Sequence, residues 1–122
     1  MGRPTVYPTG VTLYNPEKAF NGYTVLAGPG VGTILFDMNG NVVRVWKDLG
    51  GFPPKMLPGG HLIGNSGSRE AQFAYQDTLD LKMVDWDGNV EWTFNKNQQV
   101  TDDGEPYWCA RQHHDFQVTG SP

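Results

Sequence analysis

The residues best suited to chemistry lie near the C-terminal end of the sequence, where two histidines stand side by side. His113 and His114 follow Arg111 and are themselves followed by Asp115. A neutral imidazole can attack an electrophilic centre, and a second imidazole can protonate the group that leaves. Asp115 can orient one of the rings. Neighbouring side chains of a strand point to opposite faces, so only one histidine can face a given site; the alternative is a turn whose side chains bond the nearby backbone.

An arginine and two tryptophans extend this candidate site. The guanidinium of Arg111 matches the oxygens of a sulfate and can stabilise charge during a transfer, although a surface salt bridge is an equally good use of it. Trp86 falls at the tip of a predicted turn and Trp108 just precedes the histidine pair, so both can stack on an aromatic ligand. Trp46 and Trp92 lie in predicted strands and are expected in the core.

No metal site or cofactor is expected. Asp85, Asp87 and Asn89 alternate as oxygen donors, but a calcium loop needs glycine at its sixth position and glutamate at its twelfth. Here Gly88 is fourth and Lys96 is twelfth, so a hairpin turn is favoured. The segment 102–105 is expected to be a solvated charged loop. The single cysteine, Cys109, excludes an internal disulfide and a Cys-x-x-Cys site, and is expected to be a small buried side chain.

Net charge and hydropathy limit the classes of partner that are expected. The 122-residue chain carries 9 basic and 13 acidic side chains, giving a net charge of −4, and its basic residues are scattered. Nucleic acid is therefore excluded as an expected partner, because phosphate binding needs a concentrated basic surface. No apolar run approaches the roughly 20 residues of a transmembrane helix. The N-terminus has no apolar segment typical of a signal peptide, although a precursor can carry one.

Short strands joined by tight turns account for most of the chain. Asn15 can cap one or two helical turns that start at Pro16 and stop at Gly22. Asn-Gly and Asp-Gly pairs then predict hairpins, because they suit the turns that join antiparallel strands. The predicted strands are 23–27, 32–37, 41–46, 55–57, 61–63, 79–84 and 89–94, with a Gly/Pro-rich corner at 50–54.

Two of these hairpins resemble each other. Residues 37–42 align with residues 85–90 at a distance of 48 residues, with Asp, Gly, Asn and Val matching and Trp46 falling opposite Phe94. A repeat of about 40–50 residues with about four strands is typical of a β-propeller. The fold class is therefore all-β: antiparallel four-stranded blades, about two of them plus the start of a third, in an incomplete ring.

The predicted organisation is an N-terminal arm, helical turn and strand at 1–30, a first blade repeat at 31–78, and a second repeat with the start of the next at 79–122. Residues 55–63 have a partial echo at 115–120, displaced by 60 residues. Lys55 then corresponds to Asp115 and is expected at the channel mouth as a substrate-binding residue. His61 is expected to be a solvated turn residue.

An open fan of blades exposes strand edges and an apolar face at each end. The chain is therefore expected to be a truncation, to be completed by other copies of itself, or to join another chain. Three copies would supply about six blades, within the usual range for a closed propeller.

Five segments resemble bacterial arylsulfate sulfotransferases: 12–24, the Asp-x-x-Gly-Asn-Val-Val hairpin with its tryptophan at 37–46, Pro54–Gly60, 84–92, and Gln112–Gln117. Together they cover about residues 11–117. The resemblance implies a propeller of about six blades with a central active site. It also implies an exported protein, periplasmic or extracellular, and a sulfuryl transfer from phenolic sulfate esters to phenols that needs no PAPS and passes through a sulfohistidine.

This resemblance identifies the chain as a fragment or subunit of such a transferase, too short to be active alone. His113, His114 and Arg111 are the catalytic candidates; Lys55, Trp108 and Trp86 are the substrate-binding ones. Relatives of this kind continue far beyond the His-His-Asp motif, so their further channel histidines have no counterpart in this sequence. The alternative is a non-catalytic module, either a self-assembling structural unit that forms a homo-oligomer or a ligand-binding propeller.

Overall fold

The computed structural model describes residues 3–4, 13–67, 78–102, 104–110 and 115–119, and these form eleven β-strands. The strands are β1 (Arg3–Pro4), β2 (Leu13–Tyr14), β3 (Thr24–Gly28), β4 (Gly32–Phe36), β5 (Val42–Trp46), β6 (Gly50–Met56), β7 (Leu62–Asn65), β8 (Leu81–Val84), β9 (Val90–Phe94), β10 (Asn97–Asp102) and β11 (Glu105–Ala110). The predicted all-β class is confirmed. No helix in this part of the chain is long and apolar enough to cross a membrane.

The strands pair in chain order into antiparallel sheets. The first sheet is the three-stranded meander β3-β4-β5, and the second sheet is the four-stranded meander β6-β7-β8-β9. Two further pairs, β1-β2 and β10-β11, each form a small ribbon. The second sheet contains strands from both sides of residue 78, where the sequence analysis divided two repeats; that division stays a prediction, as does the blade count.

The two hairpins expected from Asn-Gly and Asp-Gly form with the same hydrogen bonds. Asp37 Oδ1 accepts from the Asn41 amide at 2.8 Å, and Asp37 Oδ2 accepts from Asn41 Nδ2 at 2.8 Å. Asp85 makes both bonds to Asn89, also at 2.8 Å. Each carboxylate thus closes its own turn, and for each the pKa is held below its usual value, first by the side-chain hydrogen bond from the asparagine. The register also shifts at equivalent positions, after Leu35 and after Met83.

The core lies between the facing sides of the two sheets. Leu35, Trp46, Leu49, Leu62 and Val84 form the buried cluster, and Val25 and Met56 pack against it. Leu35 and Trp46 belong to the first sheet, while Leu62 and Val84 are directly paired in the second. This packing confirms the expected core position of Trp46. Trp92, in contrast, is 46% exposed, because it points to the other side of the second sheet.

Close backbone contacts bring these elements together. Thr33, fully buried on β4, donates its hydroxyl to the Leu49 carbonyl at 2.7 Å and so fastens the β5–β6 connection to the first sheet. A Cβ on Gly64 would lie 2.0 Å from the Gly50 carbonyl oxygen, so β7 can approach β6 only without a side chain at that position.

Three local expectations need correction. Residues 50–54, expected as a corner, belong to β6; the strand is irregular between Gly50 and Lys55, where Pro53 and Pro54 have no N–H to donate. Asp102 and Glu105, expected in a loop, pair with each other at the ends of β10 and β11. Asn15 caps a single turn through a bond from the Glu17 amide at 3.0 Å, and no α-helix follows.

Candidate functional site

Lys55 is the best-positioned of the predicted site residues. It lies on β6, the edge strand of the second sheet, and its Nζ is 2.6 Å from Asp115 Oδ1. The same ammonium donates to the Phe116 carbonyl at 2.5 Å and lies 5.1 Å from the centre of the Phe116 ring. The hydrogen bond from Lys55 is the main reason that the pKa of Asp115 lies below its usual value. Lys55 is therefore already engaged by three groups of one segment.

The histidine pair and the arginine fall outside the described residues. Arg111, His113 and His114 precede Asp115 directly in the sequence, and nothing in the structure tests their predicted catalytic roles. Asp115 itself accepts from Lys55 and from the Phe116 amide, the latter at 2.7 Å. Its carboxylate thus has two donors of its own, whereas the sequence analysis offered it as an orienting group for an imidazole.

Trp86 forms an aromatic cluster with two residues of β5. Its ring meets the Trp46 ring edge-on, with centroids 5.5 Å apart and an interplanar angle of 89°. The Arg44 guanidinium carbon lies 5.9 Å from the Trp46 centroid and 5.8 Å from the Trp86 centroid, a cation–π distance for both. Asp87, at the tip of the same turn as Trp86, approaches Arg44 to 3.7 Å. The turn of the second sheet is thereby attached to the last strand of the first.

A cavity of about 300 Å³ adjoins this cluster, with Arg44, Trp46, Lys82 and Gly88 among its lining residues. Within the described part of the chain, the buried donors Arg44 Nε and Trp46 Nε1 have no hydrogen-bond partner. The pyrrole edge of Trp46 faces the turn, since its Cδ1 would lie 3.8 Å from a Cβ on Gly88. Unpaired buried donors are costly unless an acceptor reaches them, so this cavity suits a small ligand with oxygen acceptors or an ordered water.

A larger cleft, of about 760 Å³, lies where the β3–β4 turn, the β5–β6 connection and the end of β7 meet. Its wall is rich in glycine, with Lys47, Asp48, Ser66 and Lys82 as polar groups. Asp80, nearly buried, accepts from the Ser66 amide at 2.8 Å and from its hydroxyl at 2.6 Å, and lies 3.4 Å from Lys82. These bonds hold the end of β7 against β8 and engage Ser66 and Lys82 in the cleft wall.

Trp108 lies on β11, paired across the ribbon with Gln99, and is 56% exposed. Among the described residues, no hydrogen bond, ion pair or ring contact joins Lys55, Trp86 and Trp108. The three predicted substrate-binding residues thus occupy three separate places: the edge strand of the second sheet, a turn between sheets, and an exposed ribbon.

Sequence reasoning missed two residues: Arg44 as a member of the Trp86 cluster, and Glu91 as the partner of His61. Arg44 was not considered, although its place two residues before Trp46 puts both side chains on one face of β5. His61, expected to be a solvated turn residue, has a side chain that is 36% exposed, and its Nδ1 lies 2.5 Å from Glu91 Oε2, which links the β6–β7 turn to β9. Only the pairing of β9 with β8 brings Glu91 near the turn, so no local signal identified this pair.

The described part of the chain holds no cluster of three or more His, Cys, Asp or Glu side chains that could bind a metal ion. Comparison of the chain with protein-family models, curated proteins and solved structures found no match.

Proposed function

We propose that this chain forms neighbouring blades of a β-propeller that performs PAPS-independent sulfuryl transfer between phenolic esters and phenols. Two antiparallel meanders stacked face to face, closed by equivalent aspartate-bonded turns, support this proposal, because adjacent propeller blades would stack their sheets in this way. The transfer chemistry comes from the resemblance to arylsulfate sulfotransferases, and export to the periplasm or the cell exterior belongs to the same proposal.

The contact between Lys55 and Asp115 is the single observation that carries this proposal. In a propeller, the first strand of each blade lines the central channel. β6 is the edge strand of the second sheet, packs beside β3 of the first, and on its other side reaches Asp115 through Lys55. β6 therefore has β3 on one side and segment 115–119 on the other, as expected of a strand in a channel wall. The histidine pair immediately precedes Asp115 in the sequence.

The proposed reaction uses two steps. One imidazole, of His113 or His114, attacks the sulfur of an aryl sulfate; the S–O bond to the phenol breaks and an N–S bond forms. The departing phenolate takes a proton from water, because only one histidine of the pair can face the site, while Arg111 binds the sulfuryl oxygens. A second phenol then transfers its proton to water, attacks the same sulfur and breaks the N–S bond, which restores the imidazole.

Trapping the covalent intermediate tests this function. The chain is incubated with 4-nitrophenyl sulfate, and the release of nitrophenolate is followed together with the mass of the protein. The expected result, for the chain assembled into a closed ring, is the added mass of one sulfuryl group on the peptide that contains residues 111–117, lost in His113→Asn/His114→Asn and kept in the control His61→Asn. A wild-type chain that shows neither modification nor transfer, with or without a phenol acceptor and in every assembly state, would remove the proposal.

A non-catalytic ligand-binding module is the second candidate, and the cavity beside Arg44 and Trp46 favours it. Its two unpartnered buried donors can bind an oxygen-rich ligand with no need for the histidine pair. Calorimetric titration with 4-nitrophenyl sulfate separates the two functions. Binding that persists in His113→Ala/His114→Ala and falls in Arg44→Met favours the module; the reverse pattern favours the transferase.

A further inference from the structure

The first sheet carries a second apolar face, on the side away from the core. Backbone pairing places Leu26 opposite Ile34, Ile34 opposite Val45, and Phe36 opposite Val42. Directly paired residues share a face, so these five side chains form one surface, here called the front face. Leu26 is 40% exposed and Val42 is 55% exposed, whereas Val25 and Leu35 on the opposite side pack into the core.

The second sheet is built in the same way. Ile63 pairs with Met83, Met83 with Trp92, and Leu81 with Phe94, all on the side away from Leu62 and Val84. These five side chains are here called the back face; Ile63 is buried at its centre with 4% exposure, and Trp92, 46% exposed, is its most open member. Trp92 and Phe94 stack on it with centroids 6.3 Å apart and an interplanar angle of 16°. A stack of two sheets therefore ends in an apolar surface on each side, which isolated soluble domains rarely show.

The packing of the two sheets against each other shows which kind of surface the front face and the back face would each fit. Leu35 and Met83 lie 48 residues apart at equivalent points of the two hairpins, one facing the core and the other on the back face. Phe36 and Val84 are equivalent in the same way, one on the front face and the other facing the core. The back face is thus the counterpart of the surface that the first sheet presents to the second, and the front face is the counterpart of the surface that receives it.

The difference in strand number between the two sheets also supports this equivalence. The second sheet has four strands, with β6 beside β7, but the first sheet has three, and β3 is its edge. The segment 115–119 lies beside β6, held there by Lys55 through Asp115 and Phe116. It stands where the first strand of a following sheet would start, next to the back face.

We propose that a second copy of this chain docks the front face of its first sheet on the back face of the second sheet, with segment 115–119 beside the second copy's β3. The contact is head-to-tail, so that each copy keeps one free face and the assembly grows until a ring closes. This inference rests on the blade-like stacking of the proposed function and is independent of its chemistry.

Two blocked variants test the interface. Leu26→Lys/Val42→Lys places charge on the front face, and Met83→Lys/Trp92→Lys places it on the back face; Leu13→Lys, at a 68% exposed leucine outside both faces, is the control. Light scattering after size exclusion measures mass, and circular dichroism with urea unfolding checks that each variant is folded. Wild type and control are expected to assemble, and each blocked variant to be monomeric.

Mixing the two blocked variants gives the decisive result. One offers an intact back face and the other an intact front face, so a head-to-tail contact gives a 1:1 heterodimer and nothing larger. A symmetric contact, with front face on front face or back face on back face, would instead leave one blocked variant dimeric by itself and overturn the proposal. A monomeric wild type at hundreds of micromolar, or a mixture that stays monomeric, would also overturn it. Assembly without sulfuryl transfer would leave this interface standing and refute only the chemistry.

Discussion

Replacing Leu62 by alanine tests the assignment of faces on which both proposals depend. Leu62 is fully buried between the two sheets, in the cluster that contains Leu35, Trp46 and Val84. The surrounding side chains belong to two sheets whose strands are fixed by backbone pairing, so the cavity cannot collapse easily. A cost near the middle of the known range for buried leucine, about 3–4 kcal/mol, is therefore expected. With a urea slope of about 1.5 kcal/mol/M, the unfolding midpoint falls by about 2 M.

Leu26→Ala is the matched comparison, because it removes the same atoms from the front face of the first sheet. In the monomer Leu26 keeps 40% of its surface in water, so its loss is expected to cost about 1 kcal/mol or less. Unfolding is followed by tryptophan fluorescence, to which buried Trp46 contributes, on protein held monomeric by Met83→Lys/Trp92→Lys. Equal costs for the two substitutions, or a larger cost for Leu26, would show that the sheets do not pack through the faces described.

Four further outcomes are expected. Gly32→Ala should lower the melting temperature far more than Gly30→Ala: both glycines have positive φ, but a Cβ on Gly32 would lie 2.2 Å from the Trp46 carbonyl oxygen, whereas Gly30 has open space. Thr33→Val leaves the buried Leu49 carbonyl without its donor and should cost about 1–3 kcal/mol in urea unfolding, and the exposed Thr93→Val should be near neutral. For Asp37 and Asp85 the pKa is lowered on folding, so both carboxylates stabilise the fold above the unfolded pKa of about 3.8 and lose that contribution as pH falls through the lower folded value. The difference in urea midpoint between wild type and Asp37→Asn/Asp85→Asn should therefore shrink as pH falls below about 3.8. A difference that stays constant with pH would contradict the assignment. Lys55→Met should raise the pKa of Asp115 toward its usual value, as followed by carboxyl NMR, and an unchanged titration would show that the two side chains do not meet in solution.

The turns were the most predictable part of this fold. Asp37–Asn41 and Asp85–Asn89 close through bonds between residues four positions apart, so the sequence contains everything that specifies them. The start of β6 was not predictable in that way, because Gly50 pairs with Asn65 across the sheet, and local composition at 50–54 resembles a corner. Likewise, the alternation along β9 places Trp92 and Phe94 on one face but does not say which face is covered.

The candidate sites show the same division between features set by local sequence and contacts between distant residues. Trp86 was expected at a turn tip, but its partners Arg44 and Trp46 lie about forty residues away and meet it only through the stacking of the two sheets. The alignment of Lys55 with Asp115 pointed to equivalent positions in successive units, and in the structure the two residues form an ion pair. Sequence repeats can show equivalence, whereas the spatial neighbours of equivalent residues depend on how the units stack.

The perpendicular Trp46–Trp86 pair offers an optical signal of that stacking. Indole transitions of two rings with centroids 5.5 Å apart couple strongly, and rings held at a fixed skewed angle produce a paired positive and negative band in circular dichroism. Trp46 comes from the first sheet and Trp86 from the turn of the second, so neither hairpin folding alone can create this couplet. Its appearance during refolding would therefore time the meeting of the sheets separately from strand formation.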